Sequence, residues 1–247
     1  MEKLLENQLC VVTGAGAGIG RAIAERFLEE GADLVLGVHN ADKARSVYGD
    51  NPHVLALVPM DATRYEDLVR LGAAVRNTGR TVKAVVPVVG NGPQNPIEEV
   101  TPELFHLTMN LNVFSAFFTV QQVLPAMDRG SSIVLISSIA GFQGGQNALV
   151  YNAAKAAVRS MARSFTGELA PRGIRANAIS PGPTETKAFT EFVNGDPDAY
   201  RAVVSCIPIG HIGQPGEIAA IAAFLASDES SYVTGAEIIA DGGFTNR

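Results

Sequence analysis

The run Leu9-Cys10-Val11-Val12-Thr13-Gly14-Ala15-Gly16-Ala17-Gly18-Ile19-Gly20-Arg21-Ala22-Ile23-Ala24-Glu25-Arg26-Phe27-Leu28 decides the fold of this chain. Its first four residues are apolar without alternation, as in a strand buried on both faces of a parallel sheet. Its last residues place Ile23, Ala24 and Phe27 at helical spacing. The glycines between them sit at 14, 16, 18 and 20, and those at 14, 18 and 20 give TGxxxGxG rather than GxGxxG. A glycine-rich turn by itself is only a tight connection. Strand, glycine turn and helix in this order bring backbone N–H groups to a pyrophosphate at a helix N-terminus, where the dipole also favours an anion.

The rest of the chain repeats this alternation. Further strand candidates are Asp33–Val38, Val54–Leu57, Ala84–Val89, Ile133–Ser137, Arg175–Ser180 and Glu237–Ala240. Helical stretches fall near 19–29, 41–47, 64–77, 101–127, 151–169 and 216–226, the last opened by Pro215 and Glu217. Seven strands alternating with helices predict a Rossmann-type, doubly wound parallel α/β sheet with helices on both faces. No repeat or linker divides residues 1–247, which read as one domain. The length of 247 residues and mass of 25.9 kDa suit that reading.

Composition excludes several functions. A net charge of -6, with 19 Lys and Arg scattered along the chain, argues against nucleic-acid binding. The N-terminal MEKLLENQ has no apolar core, and no apolar run approaches the roughly 20 residues that span a bilayer. Cys10 and Cys206 are far apart and indicate no disulfide framework. None of the four His has metal-ligand spacing, so no metal is expected. A reducing, cytoplasmic setting is expected.

The chemistry is concentrated in Tyr151-Asn152-Ala153-Ala154-Lys155, with Ser138 thirteen residues upstream. The surrounding sequence favours helix, and residues i and i+4 share a helix face. An ammonium beside a phenol favours the phenolate and is expected to draw the Tyr pKa down, as a general acid-base requires. Ser138, at the end of the apolar run IVLIS, is placed to hydrogen-bond the oxygen that gains or loses the proton.

From about residue 7 onward the chain resembles the classical short-chain dehydrogenase/reductase family. Thr13 to Gly20 is similar to its cofactor turn, which implies contacts from Gly14, Gly16, Ala17, Gly18, Ile19 and Gly20. Asp61, followed by Ala62, matches the acid used near the adenine. Asn112, Ser138, Tyr151 and Lys155 match the catalytic tetrad. Pro181, Gly182, Thr184 and Thr186 lie in a loop resembling the one at the nicotinamide, and Thr234-Gly235 and Asp241-Gly242-Gly243 match the closing segment. The resemblance implies an NAD(P)-dependent oxidoreductase that interconverts a ketone and a secondary alcohol. Tyr151 would move the proton, Ser138 orient the substrate oxygen, Lys155 hold the nicotinamide ribose, and Asn112 a water linking Lys155 to solvent. It also implies a homotetramer. Action on 3-oxoacyl thioesters is compatible with the length and motif order. A nucleotide-binding regulatory protein and a non-redox lyase are the alternatives; the intact tetrad opposes the first and Lys155 the second.

Two positions depart from the family. Pro87-Val88-Val89-Gly90 stands in place of Asn-Asn-Ala-Gly after the fourth strand, so Val89 and Gly90 are expected at the cofactor without the usual amides. After the second strand, Val38 replaces the acid that selects NAD, and His39 replaces the Arg that selects NADP. NADP is therefore favoured slightly. The resemblance implies a substrate pocket bounded by 92–96, by 141–147 and by a mobile cover at 187–213. Phe142, Phe189 and Phe192 supply apolar walls, and Gln143, Gln146 and Asn147 polar contacts.

Overall fold

The computed structural model describes residues 3–246. Seven strands form within them: β1 Leu9–Thr13, β2 Asp33–Val38, β3 Val54–Pro59, β4 Val82–Pro87, β5 Met127–Ile136, β6 Arg175–Pro181 and β7 Glu237–Ala240. All pair in parallel, in the order β3-β2-β1-β4-β5-β6-β7. Strand order therefore reverses between β1 and β4, and a crevice opens at their carboxyl ends, where open α/β sheets bind ligands.

The period of two sends alternate residues of β1 to opposite layers. Cys10 and Val12 join one core with Ile23, Ala24 and Phe27 of α1 (Gly18–Glu29), Ala44 and Tyr48 of α2 (Ala41–Tyr48), and Ile218, Ala219 and Ala222 of α9 (Pro215–Ala226). Leu9 and Val11 join the other. That second core is closed by Leu68, Leu71 and Val75 of α3 (Tyr65–Asn77), Val120 and Val123 of α5 (Ser115–Val123), and Val158 and Ala162 of α6 (Leu149–Leu169). Burial pushes the Cys10 thiol up to about 12, which leaves it a small core residue.

Three expectations change. The fourth strand was expected to reach Val89 but ends at Pro87, where its ladder to β1 closes with the pair Thr13–Pro87; the ladder to β5 has already ended at Val85, so the missing N–H of Pro87 costs no bond on that side. The helix expected over 101–127 is divided into α4 (Pro102–Met109) and α5 by a π turn at Asn110–Phe114. Residues 187–213 contain two short helices, α7 (Lys187–Phe192) and α8 (Pro197–Ser205), around a small cluster of Phe189, Val193, Ile207 and Ile212.

Candidate functional site

The glycine turn is held from beneath. The Gly14 and Ala15 N–H groups donate to the Gly37 carbonyl at 2.9 and 3.3 Å, and the Tyr48 hydroxyl donates to the Ala15 carbonyl at 2.9 Å. Gly14 and Gly18 have φ of +71° and +53°, the left-handed region that favours glycine. A side chain at Gly20 would collide with the Gly14 carbonyl, whereas the space in front of Gly16 is open. Ala17, at the start of α1, offers no side-chain cap, so the first N–H groups of α1 remain for a ligand. Tyr48 was not evident from the sequence; its one signal is a tyrosine on the apolar face of α2.

Val38 and His39 follow at the end of β2. Val38 is buried with Ala44 and Tyr48, while His39 is exposed beside the Asp61 carboxylate, whose pKa it helps to lower. The larger cause of that lowering is Thr63, whose hydroxyl and N–H donate to Asp61 Oδ1 at 2.7 and 2.9 Å. Ala62 is buried. This group lies beyond the glycine turn from the tetrad, at the β2–β3 end of the crevice.

After β4 the backbone runs directly over the site. Val89 packs on Gly14, where an added Cβ would stand 3.2 Å from the Val89 nitrogen. The Thr13 hydroxyl, paired in register with Pro87, is buried and makes no hydrogen bond among the described residues. A Cβ at Gly90 would come within 2.5 Å of Asn112 Oδ1 and 2.8 Å of Lys155 Nζ, and one at Gly92 within 2.6 Å of Tyr151.

The four tetrad candidates converge here. The π turn carries Asn112, whose amide donates to the carbonyls of Asn91 (2.7 Å) and Thr108 (2.8 Å); its Oδ1 is buried and has no partner among the described residues. π turns of this kind recur at functional sites. Lys155 is buried on α6, donates to the Ile136 carbonyl at 3.1 Å and lies 5.6 Å from the centre of the Tyr151 ring. Burial lowers its pKa to about 8. Ser138 follows β5, and its Oγ accepts from the Ala140 N–H at 3.2 Å. The expectation that Lys155 draws the Tyr151 pKa down is corrected. Burial raises it, and a hydrogen bond from Ser138 offsets this in part. The lysine sits over the ring and is itself disfavoured as a cation, so Tyr151 is held as the neutral phenol. Such a group can donate a proton.

The loop after β6 closes the crevice. Pro181 is buried at the strand end, and Thr184 Oγ1 donates to the Gly182 carbonyl at 2.9 Å. Thr186 Oγ1 accepts from the Phe189 N–H at 3.3 Å to cap α7, and its side chain meets the Cβ position of Gly18. The site therefore runs from His39 and Asp61, past the turn at 14–20, to Tyr151 and Lys155. The cradle that only glycine can form, the uncapped start of α1 and the buried Oδ1 of Asn112 beside Lys155 fit a dinucleotide. No cluster of His, Cys, Asp and Glu fit to hold a metal occurs among the described residues. None of their helices is long and apolar enough to cross a membrane.

Comparison with known proteins gives the family. The profile of a family described as enoyl-(acyl carrier protein) reductase matches residues 14–245. An oxidoreductase of Sarocladium schorii is 35% identical over 97% of this chain and 96% of its own. The NADP-dependent (R)-specific alcohol dehydrogenase of Lentilactobacillus kefiri is 34% identical over 99% of both. The crystal structure of a short-chain dehydrogenase/reductase, a glucose/ribitol dehydrogenase, from Brucella melitensis superposes with a TM-score of 0.92 at 34% identity, covering 99% of each chain. By sequence and topology, this chain belongs to the classical short-chain dehydrogenase/reductase family, oxidoreductases that act on CH–OH groups.

Proposed function

We propose that the protein interconverts a ketone and a secondary alcohol with NAD(P), Tyr151 serving as general acid-base. The observation that carries this reading is a half-buried phenol held protonated, beside a buried lysine on the next helical turn and within hydrogen-bond reach of Ser138. When bound, the cofactor supplies or accepts the hydride at the substrate carbon. The chain's own residues do the rest by position and proton traffic. Ser138 donates to the substrate oxygen and holds it at the phenol. Tyr151 gives that oxygen its proton in reduction and removes it in oxidation. Lys155 binds the nicotinamide ribose, and its low pKa makes it a ready proton exchanger. Asn112, with its unpartnered Oδ1 beside Lys155, links that ammonium to solvent. Gly14 to Gly20 hold the pyrophosphate. Val38, His39, Asp61 and Ala62 bound the adenosine, and Val89, Gly90 and Pro181 to Thr186 bound the nicotinamide. Residues 187–213 cover the substrate. NADP is slightly favoured, since Val38 stands at the end of β2 where an acid would select NAD; a relative named as NADP-dependent supports this. The functional unit is a homotetramer.

Tyr151→Phe tests the mechanism. It should fold and bind cofactor as the parent does, yet lose turnover by roughly 10²- to 10⁴-fold, the contribution of general acid-base catalysis. Steady-state rates with a reactive ketone check this. Near-parental turnover in the folded variant would end the proposal.

A further inference from the structure

The two loops that border Tyr151 share an unusual composition. No charged residue occurs from Ala84 to Ile97 or from Gly130 to Ala154. The first stretch contains the segment folded over the tyrosine ring at Gly92, and the second contains Ser138 and the tyrosine itself. They are fastened together where the Asn95 N–H donates to the Asn147 carbonyl at 2.7 Å. What these loops carry instead is carboxamides: Gln94, Asn95, Gln143, Gln146 and Asn147. None of these five side chains makes a hydrogen bond among the described residues.

Nearby charges are already engaged. Arg159 pairs with Glu237 and covers one face of Phe142; Tyr200 donates to Glu185 at 3.2 Å; Lys187 pairs with Glu191 at 3.3 Å. Lys155 is buried behind the phenol. An anionic substrate brought against these loops would be desolvated without a counter-charge, which is costly. A hydroxyl group is both donor and acceptor, as is each carboxamide, so neighbouring hydroxyls can be matched in pairs. A plain hydrocarbon ring would cover the amides and leave them unpaired.

Resting on the dehydrogenase reading above, we infer that the substrate is a neutral polyhydroxylated compound, such as a sugar or cyclic polyol. Acyl thioesters with a phosphorylated carrier and unadorned alcohols are rejected. A site built to hydrogen-bond hydroxyls disfavours analogues that lack them by large factors, which sets the direction of the test.

The experiment measures kcat/KM with an aldohexose, a cyclic hexitol, cyclohexanol and acetoacetyl-coenzyme A, alongside cofactor binding by fluorescence. The parent should prefer an aldohexose or the hexitol over the other two by at least tenfold. Gln94→Leu/Gln143→Leu, which leaves the tetrad and glycine turn untouched, should raise KM for that polyol about tenfold or more, with kcat little changed and cyclohexanol turnover not reduced. A higher kcat/KM on acetoacetyl-coenzyme A or cyclohexanol would overturn the inference while leaving the dehydrogenase reading intact. An unchanged polyol KM in the double variant would do the same. Cofactor binding with no turnover of any of the four classes would overturn both.

Discussion

At the scale of single residues, Lys155 and the pair Val38 and His39 carry the sharpest consequences. Burial holds the Lys155 ammonium at a pKa of about 8, against 10.5 for the free side chain, and among the described residues its one hydrogen bond is to the Ile136 carbonyl. Below pH 8 the lysine is charged in both the folded and unfolded chains, and the fold carries a penalty on the order of 3 kcal/mol. Between about 8 and 10.5 the unfolded chain binds the extra proton, so stability rises with pH and the penalty disappears. Lys155→Met should thus be more stable than the parent at pH 7 in urea unfolding, with the gap narrowing toward pH 10. A less stable variant at pH 7 would mean that the bond to Ile136 outweighs burial. At the cofactor-selecting positions, Val38 supplies no carboxylate to repel a 2′-phosphate and His39 no guanidinium to clamp it, and bidentate Arg is what creates large discrimination. NADP should bind at least as well as NAD, within about tenfold, or roughly 1.4 kcal/mol. Parallel titrations check this; a hundredfold preference for NAD would refute it. These residues were legible because each occupies a fixed offset from a glycine turn or helix. The direction of the Tyr151 shift was not, because desolvation depends on what covers the ring, and the Gly92 segment comes from a distant part of the chain.

At the scale of elements, strands were the most readable feature. Asp33–Val38 and Glu237–Ala240 agree residue for residue with the expected bounds; in the first, every residue after Asp33 is buried, which suits an uninterrupted apolar run. The π turn at Asn110–Phe114 escaped notice for an equally physical reason: widening one turn leaves the apolar spacing on either side almost unchanged. Its effect is large, however, because it holds Asn112 where its amide can bind the Asn91 and Thr108 carbonyls at once. Asn112→Ala should therefore release the segment 91–95 as well as impair turnover. Leaving two carbonyls without their donor is expected to cost about 1–3 kcal/mol. Amide hydrogen exchange in 91–95 should accelerate relative to β4, and unaltered exchange there would show that the segment is held by other contacts. Helices α7 and α8 were likewise missed, since their apolar cluster is small and separate from the two main cores.

At the scale of the whole molecule, the sheet uses both its faces, yet α4 and α5 still present Phe105, Leu107 and Phe117 at 44, 55 and 39% exposure. Pairing with further copies of the chain would cover such residues, and closed two-fold symmetry is the usual way to do so. Sedimentation of the parent should give a tetramer at micromolar concentration. Leu107→Glu should yield a smaller species of unchanged circular dichroism, whereas a monomeric parent would dispose of the assembly. The alternation of strand and helix was legible from end to end, but which helices lie together was not, because sheet order is set by pairings across the chain. One such pairing has a consequence for biosynthesis. The apolar side of α1 is sealed by α9, whose Ile218, Ala219 and Ala222 are synthesised long after the glycine turn. A nascent polypeptide can already contain the entire phosphate-binding turn while the helix behind it still lacks its cover. Such an unfinished chain exposes grease and offers chaperones a target. Nonsense mutations before residue 215 should therefore yield insoluble fragments rather than small nucleotide-binding ones.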